Sequence, residues 1–199
     1  MSTPISDAVL DQVFRAARTQ NGWTSQPVTD AELHALYDIY KMGPTSANCQ
    51  PARVQFIRSA EAKERLLPAM SPGNQEKTRT APVTAIIGFD VAFYEHLPRL
   101  FPHAPAMKDN FSGPGKEAAA HAAAFRNGTL QGAYLMIAAR MIGLDVGAMS
   151  GFDTAKVDAE FWAGTQVKTN FICNIGHGDP AKVMGRLPRL DFAEINKIL

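Results

Sequence analysis

The sequence predicts an α+β fold: a central mixed or antiparallel sheet flanked by helices. Two observations carry that expectation. Pro82–Phe89 and Lys168–Ile175 are apolar, β-branched runs of strand length, as buried strands are. A much longer periodic stretch runs from about Lys116 to Ile142, and its middle, Leu130–Ala139, is apolar nearly all round, as expected of a buried central helix.

The other elements follow in order. Residues 6–18 place Val9, Leu10, Val13, Phe14 and Ala17 at helical spacing, and Thr19–Trp23 ends that helix. Thr29 and Glu32 form a capping-box pattern. The helix they open is expected to bury Leu33, Leu36, Tyr37 and Tyr40 and to stop before Pro44. Arg53–Arg58 alternates around Val54, Phe56 and Ile57 and reads as a strand. Ser59–Met70 reads as a helix with a charged face, and Pro72–Gly73 as a turn. Residues 93–115 hold four prolines and two histidines without periodicity, the mark of a lid or an interface excursion. Gly143 ends the long helix. Asp145–Met149 is a short strand, Asp153 caps a helix to about Trp162, and Gly176–Pro180 is a loop. The tail from Lys182 is basic and ends in an amphipathic piece.

At 199 residues the chain is read as one domain, 1–199, with room for a substantial core. It is 46% hydrophobic and 20% charged, as soluble globular proteins are. A net charge of +1 without a basic block argues against nucleic acid as a partner. No apolar run reaches the roughly 18 residues of a membrane span, and Met1–Gln12 has no signal-peptide pattern, so the expected compartment is the cytoplasm. Cys49 and Cys173 are too few and too far apart for a disulfide scaffold or a Cys-x-x-Cys site.

Several chemistries are set aside by their missing signatures. There is no P-loop, no Gly-x-Gly-x-x-Gly opening a βαβ unit and no Gly-x-Ser-x-Gly elbow. The histidines (34, 96, 103, 121 and 177) have no metal-ligand spacing, so no metal is expected. Nothing near Cys49 in sequence would activate it, and it reads as a buried structural thiol.

What remains are five polar clusters that make sense together if they converge on a ligand. They are Arg18–Asn21, the segment Pro44-Thr45-Ser46-Ala47-Asn48-Cys49-Gln50-Pro51, Asn74 with Lys77, the turn Ala148–Phe152, and Arg186 within Gly185–Arg189. The second packs hydroxyls, two side-chain amides and two prolines into a rigid, polar loop suited to a planar, hydrogen-bonding ligand with a phosphate tail. Each alone also has a plain structural reading as helix cap, loop, surface charge, β-to-α turn or basic tail.

The pattern Pro-[Ser/Thr]-Ser-x-Asn-x-Gln-Pro resembles the flavin loop of the FMN-dependent nitroreductase family, and all five clusters recur in that family's order and spacing. The chain most resembles the subgroup that includes the malonic semialdehyde reductases of pyrimidine breakdown, through Ala17–Asn21, Ser71–Lys77 and Phe125–Tyr134. The resemblance covers nearly the whole chain and implies a nitroreductase-like fold, bound FMN, and a homodimer with the site at its interface. It also implies NADPH or NADH as reductant and ping-pong hydride transfer through flavin N5, with no catalytic side chain required.

Residue by residue, Arg18 and Arg186 match positions that hold the FMN phosphate, with Thr19 beside them. Asn48, Asn74 and Lys77 match polar groups around the isoalloxazine and ribityl chain. Ser150 and Gly151 match the turn whose N–H groups approach N5 and O4. Pro44, Thr45 and Ser46 match contacts from the second subunit. Asn21 and Gln50 stand in the same motifs and are counted with the cofactor-binding set. Arg126 and Asn127 are substrate candidates, against a reading in which they merely cap or pack the central helix. The chain departs from the family at Ala52, where an aromatic is usual, at Ala17, where a second arginine is usual, and at Met184, where a lysine is usual; Lys182 or Arg189 could replace that lysine. Three readings stay open: reduction of malonic semialdehyde to 3-hydroxypropanoate, a broad nitro or quinone reductase, and a non-catalytic flavin-binding protein. The partners expected are small molecules (an aldehyde, nitro compound or quinone), with no nucleic acid and no membrane.

Overall fold

The computed structural model describes residues 3–199. Its centre is a four-stranded sheet built from β1 (Ala52–Ile57), β2 (Val83–Asp90), β3 (Asp145–Met149) and β4 (Val167–Gly176). The order is β1-β2-β4-β3 and every pairing is antiparallel, so of the two sheet types expected the antiparallel one is realised.

Helices cover both faces, and the two-residue period of β2 assigns its side chains between them. Val83, Ala85 and Ile87 point to the side of α2 (Asp30–Tyr40) and α6 (Glu117–Met141), joining Leu36, Leu135, Ala138 and Cys173 in one cluster. Ile86 points to the opposite side, joining Leu66 of α3 (Ala60–Leu66), Val157 of α7 (Thr154–Phe161) and Trp162. The Thr29–Glu32 capping box forms, with Glu32 accepting from the Thr29 N–H at 2.7 Å. Ser59 and Asp153 cap α3 and α7 more simply, their side chains accepting from the Ala62 and Lys156 N–H groups. Among the described residues no helix is long and apolar enough to cross a membrane.

Four expectations need correction. Pro72–Gly73 is no turn: Pro72 opens α4 (Pro72–Thr80), because a proline in the first helical turn loses no hydrogen bond. Asn74 and Lys77 therefore lie one turn apart on a helix. The first helix is shorter than residues 6–18: α1 spans Asp7–Leu10 and widens into a π-helical turn, Asp11–Arg15, which buries Val13 and leaves Phe14 57% exposed. Tyr37 is 48% exposed, since only Leu36 and Tyr40 of α2 face fully inward. The central helix is buried along one stripe only. That stripe is small, with Gly128 and Gly132 against the sheet, and a Cβ at Gly132 would meet the Phe171 ring at 2.6 Å. Phe125 and Leu130 face outward.

Residues 93–115 are irregular as expected. They form short turns, including α5 (Leu97–Leu100), pinned by the fully buried Phe93 and Leu97. α8 (Phe192–Ile195) lies in the exposed tail.

Burial weakens two acids in the core, pushing the pKa of the Cys173 thiol and of the Tyr40 phenol each up to about 12. The folded chain then holds protons that the unfolded chain releases. Stability from these groups is complete below the ordinary thiol pKa, about 8.5, and is lost as pH rises toward about 12. Urea midpoints measured from pH 7 to 11 are expected to fall above pH ~8.5, with a shallower fall in Cys173→Ala. A flat profile would overturn this.

Candidate active site

Edge strand β3 organises the site. Thr19 bridges to Val146 in parallel, and the Gln20 N–H donates to the Val146 carbonyl at 3.0 Å, which lays Arg18–Asn21 along the strand. The C-terminal segment returns to the same place. Arg186 donates from Nη2 to the carbonyls of Arg15 (2.6 Å) and Ala17 (3.3 Å), and Arg18 donates to the Met184 carbonyl. Arg140, in the last turn of α6, donates to the Val13 carbonyl at 3.0 Å. Together with Thr19, Asn21 and Arg189 these side chains line a cleft of about 630 Å³.

Its charge is unbalanced. Arg15 is paired with Asp7 at 2.7 Å and Asp11 at 3.6 Å. Arg18, Arg140, Arg186 and Arg189 donate to main-chain carbonyls, and among the described residues none pairs with a carboxylate. A carbonyl accepts a hydrogen bond without cancelling the charge, so the cleft retains a strong preference for an anion. Partial burial lowers the Arg140 pKa, yet a guanidinium stays protonated at any physiological pH.

The other end of β3 carries the second group. Asn74 Nδ2 and the Ser71 N–H both donate to the Gly151 carbonyl at 3.0 Å. A Cβ on Gly151 would sit 2.7 Å from Asn74 Nδ2, so any larger residue there must push the Asn74 amide aside. Lys77 lies on the next turn of α4, half-buried, with no ion-pair partner among the described residues. Ser150, next to Gly151 in the turn, is exposed. Five residues of extended chain separate Val146 from Gly151, roughly 17 Å. The arginine cleft and the contact of Asn74 with Gly151 thus lie at the two ends of β3.

The Pro44–Pro51 loop is not part of this grouping. Ala47 (φ 48°), Asn48 (φ 48°) and Gln50 (φ 41°) all take the left-handed region that non-glycine residues avoid. Central-helix side chains hold this conformation: Asn127 Oδ1 accepts from the Ser46 N–H, Gln131 Oε1 from the Ala52 N–H (both 2.9 Å), and Tyr134 Oη donates to the Pro44 carbonyl at 3.0 Å. Gln50 donates to Asn48 Oδ1 at 2.7 Å, and Asn48 donates to the Leu100 carbonyl at 2.9 Å. Asn127 is 13 residues before Arg140 on α6, roughly 20 Å along the axis. Pro44, Thr45 and Ser46 therefore do not reach the arginine cleft of their own chain.

Asn127 is buried, and its amide is committed to Ser46 and to the Ala123 carbonyl, matching the packing reading rather than the substrate reading. Asn127→Leu leaves the Ser46 N–H unpaired, at a cost of about 1–3 kcal/mol. A thermal midpoint roughly 3–10 °C lower is expected by calorimetry; an unchanged midpoint would show that the loop is held without it.

Arg126 is exposed and borders a cavity of about 680 Å³ between this loop, residues 93–111 and α6. Burial raises the pKa of Cys49 on that wall, partly offset by a Thr45 hydrogen bond, consistent with a structural thiol. The sequence reading missed Arg140 and Arg15. Arg140 is the lone basic residue in the last turn of an apolar helix, but nothing local shows that residues 13–19 fold over it. Lys182 packs its stem against Gly22, while Arg189 lines the cleft. Among the described residues no cluster of His, Cys, Asp or Glu could hold a metal ion.

These features define an α+β protein with a cationic cleft and an amide-lined turn at one sheet edge. A provisionally named nitroreductase of Exiguobacterium sibiricum 255-15, crystallised in complex with FMN, has the same fold: TM-score 0.86, 19% identity, all of both chains covered. A Burkholderia lata protein provisionally named as an NADH dehydrogenase/NAD(P)H nitroreductase is 58% identical over 98% of this chain and 99% of its own. Ralstonia pickettii HadB, named in the same provisional terms, is 56% identical over 98% of this chain and 97% of its own. The nitroreductase family profile matches residues 1–177, and the chain belongs to that family of oxidoreductases.

Proposed function

We propose that the protein is an FMN-dependent NAD(P)H oxidoreductase acting on a small electron-poor substrate as a homodimer. The observation that carries this reading is the cleft of carboxylate-free arginines at one end of β3, aligned with Asn74, Lys77 and the Ser150–Gly151 turn at the other. That donor set fits FMN: a phosphate dianion at the guanidinium end and a hydrogen-bonding ring system at the amide end. When bound, FMN supplies hydride exchange at N5.

The chain supplies the rest. Arg18, Arg186, Thr19 and Asn21 hold the phosphate end, and Arg140 and Arg189 add the charge that Met184 cannot. Lys77 and Asn74 face the ring, where an ammonium favours developing negative charge. Ser150 and Gly151 offer main-chain N–H groups. Pro44, Thr45 and Ser46, held away from their own cleft, serve the site of a second copy. Asn48 and Gln50 keep that loop in its strained shape.

The substrate we propose from the Phe125–Tyr134 and Ser71–Lys77 resemblance is malonic semialdehyde, reduced to 3-hydroxypropanoate. A second reading, a nitro or quinone acceptor, is favoured by the apolar cavity beside the Ser46 loop. Anaerobic titration of the purified protein with NADPH and then NADH tests the proposal. A flavin spectrum that bleaches and recovers on adding an acceptor is expected, and relative recovery rates with malonic semialdehyde and a nitroaromatic rank the two readings. A protein that takes up no FMN would overturn the proposal.

A further inference from the structure

Helix α4 carries Asn74 and Lys77, yet it has almost nothing apolar with which to seat itself. Its residues, Pro-Gly-Asn-Gln-Glu-Lys-Thr-Arg-Thr, include no aliphatic or aromatic side chain beyond the Pro72 ring. Thr78 alone is buried, and its hydroxyl has no hydrogen-bond partner among the described residues. A helix that is polar all round is not held by hydrophobic burial and needs polar anchors instead. Its surface pairs are weak ones, because Arg79 meets Glu76 (2.9 Å) and Glu64 (3.4 Å) in the open.

Two stronger anchors are present. At the N-terminal end the Ser71 N–H and Asn74 Nδ2 converge on the Gly151 carbonyl. At the C-terminal end Lys63 of α3 donates from Nζ to the carbonyls of Ala81 and Arg79, the latter at 3.3 Å. These carbonyls lie in the last turn and the cap, where no further helical N–H reaches them and the helix dipole favours a cation. Lys63 is itself buried, and α3 is fixed by the fully buried Leu66. Lysines are seldom buried without a carboxylate. Among the described residues none pairs with Lys63, and burial lowers its pKa. An uncharged side chain of similar length would fill the space at a smaller desolvation cost. What the ammonium adds is its hold on the two carbonyls.

Lys77 lies between the anchors, two residues before Arg79. Resting on the reductase reading, we infer that Lys63 is a positioning residue for the flavin site: by holding the C-terminal end of α4 it sets where Lys77 stands against the ring. An ammonium there favours the reduced, negatively charged ring. Loosening α4 therefore weakens the hold on reduced FMN more than the hold on oxidised FMN. Asn74, tied directly to Gly151, stays close to its place.

Two measurements on Lys63→Met test this, with Val157→Ala as control. Val157 is fully buried in the same core cluster as Leu66 but lies on α7 and makes none of the anchoring contacts. Hydrogen exchange of the apoprotein reads the anchor without flavin. In Lys63→Met the amides of residues 75–80 are expected to exchange at least about tenfold faster, with those of β2 unchanged. Dye-equilibrated reduction of the FMN-loaded protein reads the site. Affinity for reduced relative to oxidised FMN is expected to fall about tenfold, which lowers the midpoint potential by about 30 mV for a two-electron couple. Lys63→Gln keeps a neutral donor; it is expected to show both effects in smaller measure, and it carries the test if Lys63→Met does not fold. Unchanged exchange in α4, an unchanged potential despite faster exchange, or an equal fall in potential in Val157→Ala would overturn the inference. A protein that takes up no FMN in any form would instead overturn the reductase reading, and exchange in α4 would still decide whether Lys63 holds the helix.

Discussion

Arg186→Ala is expected to raise the dissociation constant for FMN between ten- and a hundredfold while leaving the apoprotein folded. The magnitude follows from the chemistry of the hydrogen bond removed. A guanidinium–phosphate hydrogen bond in a partly desolvated cleft is worth about 1.5–3 kcal/mol, a factor of roughly ten to a hundred in binding. The fold should survive because Arg186 is exposed and its own partners are the carbonyls of Arg15 and Ala17, close to the chain terminus. Quenching of flavin fluorescence on titrating apoprotein into FMN gives the affinity, and circular dichroism the fold. The companion substitution Met184→Lys adds an ammonium beside the same cleft and is expected to tighten FMN severalfold. Unchanged affinity in Arg186→Ala, with the fold intact, would remove the phosphate from this cleft and with it the orientation of the whole site.

What could be read in advance follows the range of the interactions involved. The Thr29–Glu32 cap, the Asp153 cap and strands β2 to β4 rest on neighbours within a few residues, so their signals are local. Pro72 was ambiguous for a physical reason: proline suits the first turn of a helix as well as a tight turn, and only Ser71 docking on Gly151, 80 residues downstream, selects the helix. Arg18 and Arg186 could be named by resemblance. Arg140 could not, because it enters the cleft only when residues 13–19 fold over the end of α6 and accept its hydrogen bond. The strained loop shows a third case. Its residues are legible as a ligand-facing motif, but its placement is set by Asn127, Gln131 and Tyr134, far along the chain. Local sequence names the groups, and long-range packing decides which of them meet.

That dependence gives the second large effect, at Gly147. This residue lies in the middle of β3, where the Arg18–Asn21 segment crosses the strand edge through the Thr19–Val146 bridge. A Cβ at Gly147 would run into the main-chain carbonyl of Gln20, with the Trp23 ring at 3.6 Å behind it. A main-chain obstacle cannot rotate away as a side chain can, so Gly147→Ala must push residues 19–21 off the strand. The overpacking cost is about 1–3 kcal/mol, visible as a lower urea midpoint. The functional cost should exceed the stability cost, since Arg18, Thr19 and Asn21 all ride on the displaced segment and the cleft loses its alignment with Gly151 at the strand's other end. FMN affinity is therefore expected to fall by at least as much as in Arg186→Ala. Gly143→Ala is the control: it sits in the turn before β3 at φ 84°, so it is strained, but its Cβ would meet nothing within 4 Å. It should lower stability comparably and leave FMN affinity near the wild-type value. Equal FMN losses in the two variants would mean that general destabilisation, rather than the register of residues 18–21 on β3, governs cofactor binding.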